Sequence, residues 1–316
     1  MTLDLPTPTK PLKIGTRGSP LALAQAHETR DRLRTAFDLP EDAFEVVVIK
    51  TTGDRVLDRP LKEIGGKGLF TREIEEDLTS GAIDIAVHSM KDMPTIQPEG
   101  LILDTYLPRE DVRDAFVTLA GGAFSDLGEG AVVGTSSLRR RAQLLWRRPD
   151  LSVVEFRGNV QTRMRKLADG VAEATFLAMA GLHRLGADEV KRVALSPDEM
   201  LPAVAQGAIG IERRSDDART AEMLAAIHDA PTGTLLAAER AYLAALDGSC
   251  ETPIAGLAEI DGGVIRLRGE ILRPDGSDCL EDAETAPVED AAEMGRAVGA
   301  RLLARAPTGF FDWRAA

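Results

Sequence analysis

The residues able to do chemistry gather in a few short stretches of this 316-residue chain. Between positions 139 and 166, nine Lys or Arg stand against Asp150 and Glu155, a local net of +7 in a chain whose formal charge is −13. Arg139, Arg140 and Arg141 follow Ser136 and Ser137 at a predicted helix start, where unbonded backbone N–H groups and the helix dipole favour anions. Arg157 and Arg163 repeat the arrangement around Arg157-Gly158-Asn159. Guanidinium forks match carboxylate or phosphate bidentately, so these turns read as a site for a small polyanion. Arg147, Arg148 and Arg165 read instead as a solvated helix face.

A second stretch, Asp84 to Pro94, brings His88, Lys91 and Asp92 to one predicted strand end. A carboxylate among cations stays ionised and can steady a cationic intermediate or pass a proton. By itself a strand-end Lys-Asp pair also fits a simple turn cap, and His88 reads as a hydrogen-bonded structural histidine rather than a base. Gly65-Gly66-Lys67-Gly68 lacks the spacing and the hydroxyl of a phosphate-binding P-loop, and fits a mobile flap over a cleft. Cys250 sits on a Gly-Ser loop after a helical run, in a setting that suits an attachment point or nucleophile as well as an inert thiol. Cys279 falls in a polar stretch. Neither cysteine has metal-ligand partners at useful spacing, and two cysteines make no disulfide framework.

The elements that must position these groups follow from the pattern of apolar runs. Strand-like runs alternate with amphipathic helical stretches through the first two thirds, the signature of α/β layers around mostly parallel sheets. Four strand-to-helix joints stand out, after Leu12 to Gly15, Ile83 to Val87, Val132-Val133 and Val153 to Phe156. Ser19 suits a helix N-cap and Pro20 the first helical position. Each joint carries polar residues just past a strand's carboxyl end, where open α/β sheets bind ligands, so the four turns are expected to converge on one cleft. Ile209 to Ile211 is expected to return as a strand to the first sheet. From Pro253 the rhythm changes to short strands broken at Asp261-Gly262-Gly263 and Pro274-Asp275-Gly276, then a helix from Val288 to Ala304, which predicts a small α+β domain.

Composition narrows the function classes. With 44% hydrophobic and 28% charged residues the chain is an ordinary globular protein rather than a disordered one. The negative net charge and an aromatic content of 4% argue against a nucleic-acid partner, which would need phosphate neutralisation and stacking surfaces. No apolar run approaches a membrane span, and the first residues lack the apolar core of a signal peptide, so a cytoplasmic protein with no membrane partner is expected.

Taken in order, Ile14-Gly15-Thr16-Arg17-Gly18-Ser19-Pro20, Gly65-Gly66-Lys67-Gly68-Leu69-Phe70, Val87-His88-Ser89-Met90-Lys91-Asp92, Gly134-Thr135-Ser136-Ser137-Leu138-Arg139-Arg140, Phe156-Arg157-Gly158-Asn159, Leu201-Pro202-Ala203-Val204-Ala205-Gln206-Gly207 and Gly248-Ser249-Cys250 closely resemble the porphobilinogen deaminase (hydroxymethylbilane synthase) family. The resemblance spans nearly the whole chain. It implies a transferase of tetrapyrrole biosynthesis that joins four porphobilinogens head to tail, releasing ammonia and then hydroxymethylbilane. It implies two α/β domains like those of periplasmic binding proteins flanking a cleft, plus a small C-terminal α+β domain. The boundaries expected here are 1–107 with 205–226, then 108–204, then 227–316.

The family's dipyrromethane cofactor, held by a thioether, maps to Cys250, and its catalytic aspartate to Asp92. Cofactor contacts map to Lys91, Ser137, Arg139, Arg140, Arg157, Arg163 and Arg184. Substrate contacts map to Arg17, Ser19 and Lys67, together with Arg157, Arg163 and Arg184. The resemblance also implies a monomer that needs no metal. Three positions depart from the family pattern: Glu63 stands where a lysine is common, with Lys62 adjacent; Ser249 replaces a glycine; and Ala172-Glu173-Ala174 replaces a Tyr-Asp-Ala. Two other classes remain as competitors, a non-catalytic ligand-binding module on the same scaffold, with no use for Cys250 or Asp92, and a nucleic-acid binder with steep salt dependence.

Overall fold

The computed structural model describes residues 3–55, 71–248 and 252–314, without the side chains of residues 54, 55 and 314. Lys67, Cys250 and the departures at Glu63 and Ser249 lie outside the described residues. By its contacts the chain forms two compact units, Met1–Glu110 with Ala208–Gly233, and Asp111–Gly207 with Thr234–Ala316.

The first unit opens with β1 (Leu12–Arg17) and α1 (Pro20–Phe37). Ser19 caps α1 by accepting from the Ala22 N–H at 3.2 Å, and Pro20 takes the first turn, as the residue order predicts. There follow β2 (Phe44–Ile49), the short α2 (Thr52–Arg55), α3 (Arg72–Ser80), β3 (Ile85–Ser89) and β4 (Leu101–Tyr106). The sheet is mixed rather than mostly parallel: β1 pairs in parallel with β2 and β3, whereas β10 (Ile209–Arg214) enters antiparallel between β3 and β4. That return of Ile209 to the first sheet is the one expected from sequence. The register of β10 on β4 shifts between Ile211 and Glu212, where β4 carries the additional residue Asp104. Apolar side chains from β1, β3, β10 and α1, among them Ile14, Leu33, Ile85 and Ile211, are buried together beneath the sheet. The unit also holds α7 (Ala218–Ala225) and the start of α8 (Ala230–Ala245).

The second unit repeats the plan. In it lie β5 (Asp114–Thr118), β6 (Val132–Gly134), α4 (Leu138–Arg147), β7 (Ser152–Val154), α5 (Val160–Ala168), β8 (Ala174–Ala178), α6 (Met179–Arg184) and β9 (Arg192–Ala194). The strand order is β7-β6-β8-β5-β9, with β6 parallel to β7 and β8, and β5 antiparallel to β8 and β9. Phe116, Phe156 and Phe176 are almost wholly buried, each contributing about 1.5–3 kcal/mol of burial. Gly134 is needed where it stands, because a Cβ there would collide with the Phe156 ring.

The same unit includes the antiparallel sheet β11 (Ile254–Asp261), β12 (Val264–Leu272) and β13 (Cys279–Pro287), and α9 (Ala291–Arg305). Tyr242 of α8 packs over Gly256 and Gly269 of this sheet and donates to the Glu270 carbonyl at 3.1 Å. Among the described residues no helix is long and apolar enough to cross a membrane.

Candidate active site

In the first unit two of the four joints meet. Arg17 ends β1 and Ser19 caps α1, while β3 runs into a 3₁₀ turn, Met90–Asp92, that carries Lys91 and Asp92. Arg17, Ser19, His88, Lys91 and Asp92 line one pocket of about 80 Å³. Gln25 of α1 donates to Ser89 Oγ at 3.4 Å, tying the helix to the strand end. The turn is braced from below, since the Met90 N–H donates to the Ala208 carbonyl at 3.0 Å. His88 is the structural histidine its context suggests: it is 6% exposed and hydrogen-bonded to the fully buried Glu212 at 3.0 Å.

In the second unit the other two joints are joined directly. The Phe156 N–H donates to Ser136 Oγ at 3.0 Å and the Thr135 N–H to the Val154 carbonyl at 3.0 Å. Ser137 caps α4 by accepting from the Arg140 N–H, and Asn159 caps α5 by accepting from the Thr162 N–H. Arg140 and Arg163 donate to the same carbonyl, that of Phe176, at 3.0 and 3.3 Å. Arg157 is half-buried at the start of this turn, and Arg184, at the end of α6, donates to the Gly207 carbonyl at 3.0 Å.

Arg139 and Arg140 are not presented on the surface of a helix start, as their place in the sequence suggests. Both are buried, with Asp114 between them: Arg139 Nη2 lies 2.8 Å from Oδ2, and Arg140 Nη2 lies 2.7 Å from Oδ1. Gln206 adds a bond to Oδ1 at 2.9 Å. Burial by itself would raise the Asp114 carboxyl, but the two guanidinium charges and the bonds from Arg140 and Gln206 outweigh it and hold the group well below the usual carboxylate range. One carboxylate thus faces two guanidiniums. Burial, with the charge of Arg140 beside it, pulls Arg163 down to about 10 against the opposing pull of Glu155. Arg139 Nε is buried without a hydrogen-bond partner among the described residues. The buried charge around Asp114 is net cationic, the sign that a polycarboxylate ligand requires.

Sequence reasoning missed Asp114 and Glu212. The available signal for Asp114 was a carboxylate opening the apolar strand Ala115-Phe116-Val117, where burial demands a cationic partner. Arg147, read as a solvated face, pairs with Glu270 at 3.3 Å and is only 25% exposed. Arg148, also read as solvated, is likewise 25% exposed; it lies 2.7 Å from Asp150 and donates to the Leu127 and Gly128 carbonyls. A larger cavity, about 470 Å³, opens in the second unit among Arg147, Asp198, Arg268 and Glu270, and none of the strand-end groups lines it.

Fold and turns together define an α/β protein with cationic side chains at the carboxyl ends of its strands and a carboxylate, Asp92, stationed among them. The class narrows on comparison with known proteins. Residues 12–222 match the family model described as "Porphobilinogen deaminase, dipyromethane cofactor binding domain", and residues 234–304 match "Porphobilinogen deaminase, C-terminal domain". The chain belongs to the porphobilinogen deaminase family. It is 69% identical over 310 residues to porphobilinogen deaminase of Paracoccus denitrificans, covering 98% of this chain and 99% of that one. It is 55% identical to the chloroplastic porphobilinogen deaminase of Oryza sativa subsp. japonica, covering 95% and 86%. Among solved structures, the periplasmic VFT2 domain of Bordetella pertussis BvgS is similar at a TM-score of 0.40 and 16% identity, covering 68% of this chain and 86% of that one.

Proposed function

We infer that this chain condenses porphobilinogen units head to tail, releasing ammonia at each step, to give hydroxymethylbilane for tetrapyrrole synthesis. The observation that carries the reading is Asp92 on the strand-end turn, lining one pocket with Arg17 and Lys91. The remaining assignments come from the family resemblance, those of Lys67 and Cys250 from it alone.

Each pyrrole brings an acetate and a propionate arm, so a growing chain adds two negative charges per ring and needs many cations. Arg17, Ser19 and Lys67 take the substrate's carboxylates, and Arg157, Arg163 and Arg184 serve substrate and cofactor alike. Ser137, Arg139, Arg140 and Lys91 hold the dipyrromethane group, whose attachment is a thioether to Cys250. When bound, that group supplies the pyrrole carbon to which the first unit is joined. Asp92 does the proton work: it protonates the leaving amine, its negative charge stabilises the electron-poor methylene pyrrole left in the substrate, and it then takes up the pyrrole proton.

On the family resemblance, Asp92 belongs to a first domain of 1–107 with 205–226, the arginine-rich turns to 108–204 and the attachment loop to 227–316, in a cytoplasmic monomer. The test is the intact mass of the purified protein. A mass excess equal to two linked pyrrole units supports the reading, and the bare polypeptide mass after supplying porphobilinogen speaks for a non-catalytic binding module.

A further inference from the structure

His88 and Glu212 lie beside the Asp92 turn and have no part in the proton transfers just described. In the antiparallel pairing of β3 with β10, Gly210 stands opposite His88 and Glu212 opposite Ala86, so His88, Ala86 and Glu212 share one face of the sheet. The His88 ring reaches diagonally across that face, and its Nε2 makes a 3.0 Å hydrogen bond with Glu212 Oε2. Glu212 is completely inaccessible, and its second oxygen, Oε1, has no partner among the described residues. The register shift between β10 and β4 falls at this residue, a device that re-aims a side chain.

Among the described residues no guanidinium serves this carboxylate. Arg213, next in the chain, is turned to Asp104 at 2.6 Å. The group facing the pair from α3 is Glu75, whose carboxyl is pushed up first by burial and then by the charge of Glu212, with a hydrogen bond from Thr71 opposing. The contact with His88 is the hydrogen bond this buried carboxylate makes among the described residues, so neither side chain can swing away without leaving a polar group stranded. The pair is therefore a stiff strut between two strands. Its histidine stands two residues before the turn that carries Lys91 and Asp92. Met90, the first residue of that turn, packs against Gly210, the residue opposite His88, so closely that a Cβ there would collide with its sulfur.

We propose that His88 and Glu212 are a positioning pair for the reaction, holding the β3–β10 junction so that the Met90–Asp92 turn presents its carboxylate in one orientation. The inference rests on the role given to Asp92 above. A turn held 1 Å out of place costs about 100-fold in rate, and the loss falls on the chemical step rather than on binding.

The test uses cofactor-loaded protein, verified by intact mass, in steady-state ammonia release from porphobilinogen, with Asp92→Asn as the reference. His88→Asn, too short to reach Glu212, should lower kcat about 10- to 100-fold while KM stays within about twofold. Glu212→Gln keeps an acceptor for the ring N–H and should recover most of the wild-type kcat. The double variant His88→Leu/Glu212→Met leaves no buried charge and folds even where His88→Asn does not; it should show the same fall in kcat. Wild-type kcat in the folded double variant overturns the proposal, as does a rise in KM at unchanged kcat, which would make His88 a binding residue. Absence of ammonia release by the wild type overturns the parent reading along with this one, whereas normal release with an indifferent double variant overturns this one alone.

Discussion

Substituting Asp114 by asparagine perturbs the second unit at its most charged buried point. The carboxylate is completely inaccessible and meets Arg139 and Arg140, whose side chains are 5% and 8% exposed. Asparagine keeps the volume and one acceptor oxygen but removes the only carboxylate paired with these guanidiniums among the described residues. Removing one partner of a buried ion pair costs about 3–5 kcal/mol, and at about 2–4 °C per kcal/mol the melting transition should fall by about 6–20 °C. The pH dependence has a definite sign. The folded carboxyl lies below its unfolded value of 3.8, so its stabilisation is fully present above that value and is lost as the pH falls through the folded one. The gap between wild type and Asp114→Asn should therefore stay level across neutral pH and narrow only below about pH 4. Adding Arg139→Met to Asp114→Asn removes one stranded cation and should recover part of the loss, because Gln143 still donates to the Leu201 carbonyl that Arg139 also serves. Thermal melts by circular dichroism across a pH series read all three effects. A variant melting within about 2 °C of wild type at pH 7, or a double variant less stable than Asp114→Asn, would refute the reasoning.

Cys250→Ser should give folded protein that carries no pyrrole adduct and releases no ammonia, whereas Cys279→Ser should load and turn over normally. Burial, with the charges of Glu270 and Glu281, pushes the Cys279 thiol up to about 12, so it stays protonated and unreactive at neutral pH; an adduct retained on Cys250→Ser, seen by mass spectrometry, would move the attachment elsewhere. Arg157→Leu, at a strand-end turn, should block cofactor loading or chain growth, while Arg148→Leu, whose guanidinium pairs with Asp150 away from the turns, should keep turnover within about twofold; equal losses would mean that the basic segment is a general surface. Gly134→Ala should destabilise the second unit by about 1–3 kcal/mol by forcing a methyl into the Phe156 ring, and an unchanged melting transition would show that the ring yields freely.

The local grammar of the joints was legible. Ser19 with Pro20, and the polar residues after Val133 and Phe156, mark the caps and turns where the structure places them, because capping needs only residues three or four apart. The return of Ile209 to the first sheet was readable from its apolar run. Strand direction was not: an apolar run looks the same in either sense, so β5 and β10 entering antiparallel leave no mark in the sequence. The partners of the buried charges were equally hidden. Asp114 lies 25 residues from Arg139, and Glu212 lies 124 residues from His88. Arg147 looked solvated because its own helix is basic, but β12 brings Glu270 to it from 123 residues away. Residue types nominated the anion site; the tertiary fold decided which arginines are committed to the protein's own carboxylate.

The central claim is that the Asp92 carboxylate performs the chemistry while the cations perform the binding. Single-turnover ammonia release and porphobilinogen binding, measured side by side on cofactor-loaded Asp92→Asn, separate the two. The amide preserves size and hydrogen bonding but carries no charge and exchanges no proton, so release should fall by about 100-fold or more. Binding should persist, since removing an anion from a cation-rich pocket does not weaken its attraction for carboxylates, and Asp92→Glu should release ammonia faster than the amide. Near-normal release by Asp92→Asn would contradict the account and pass the catalytic role to another group.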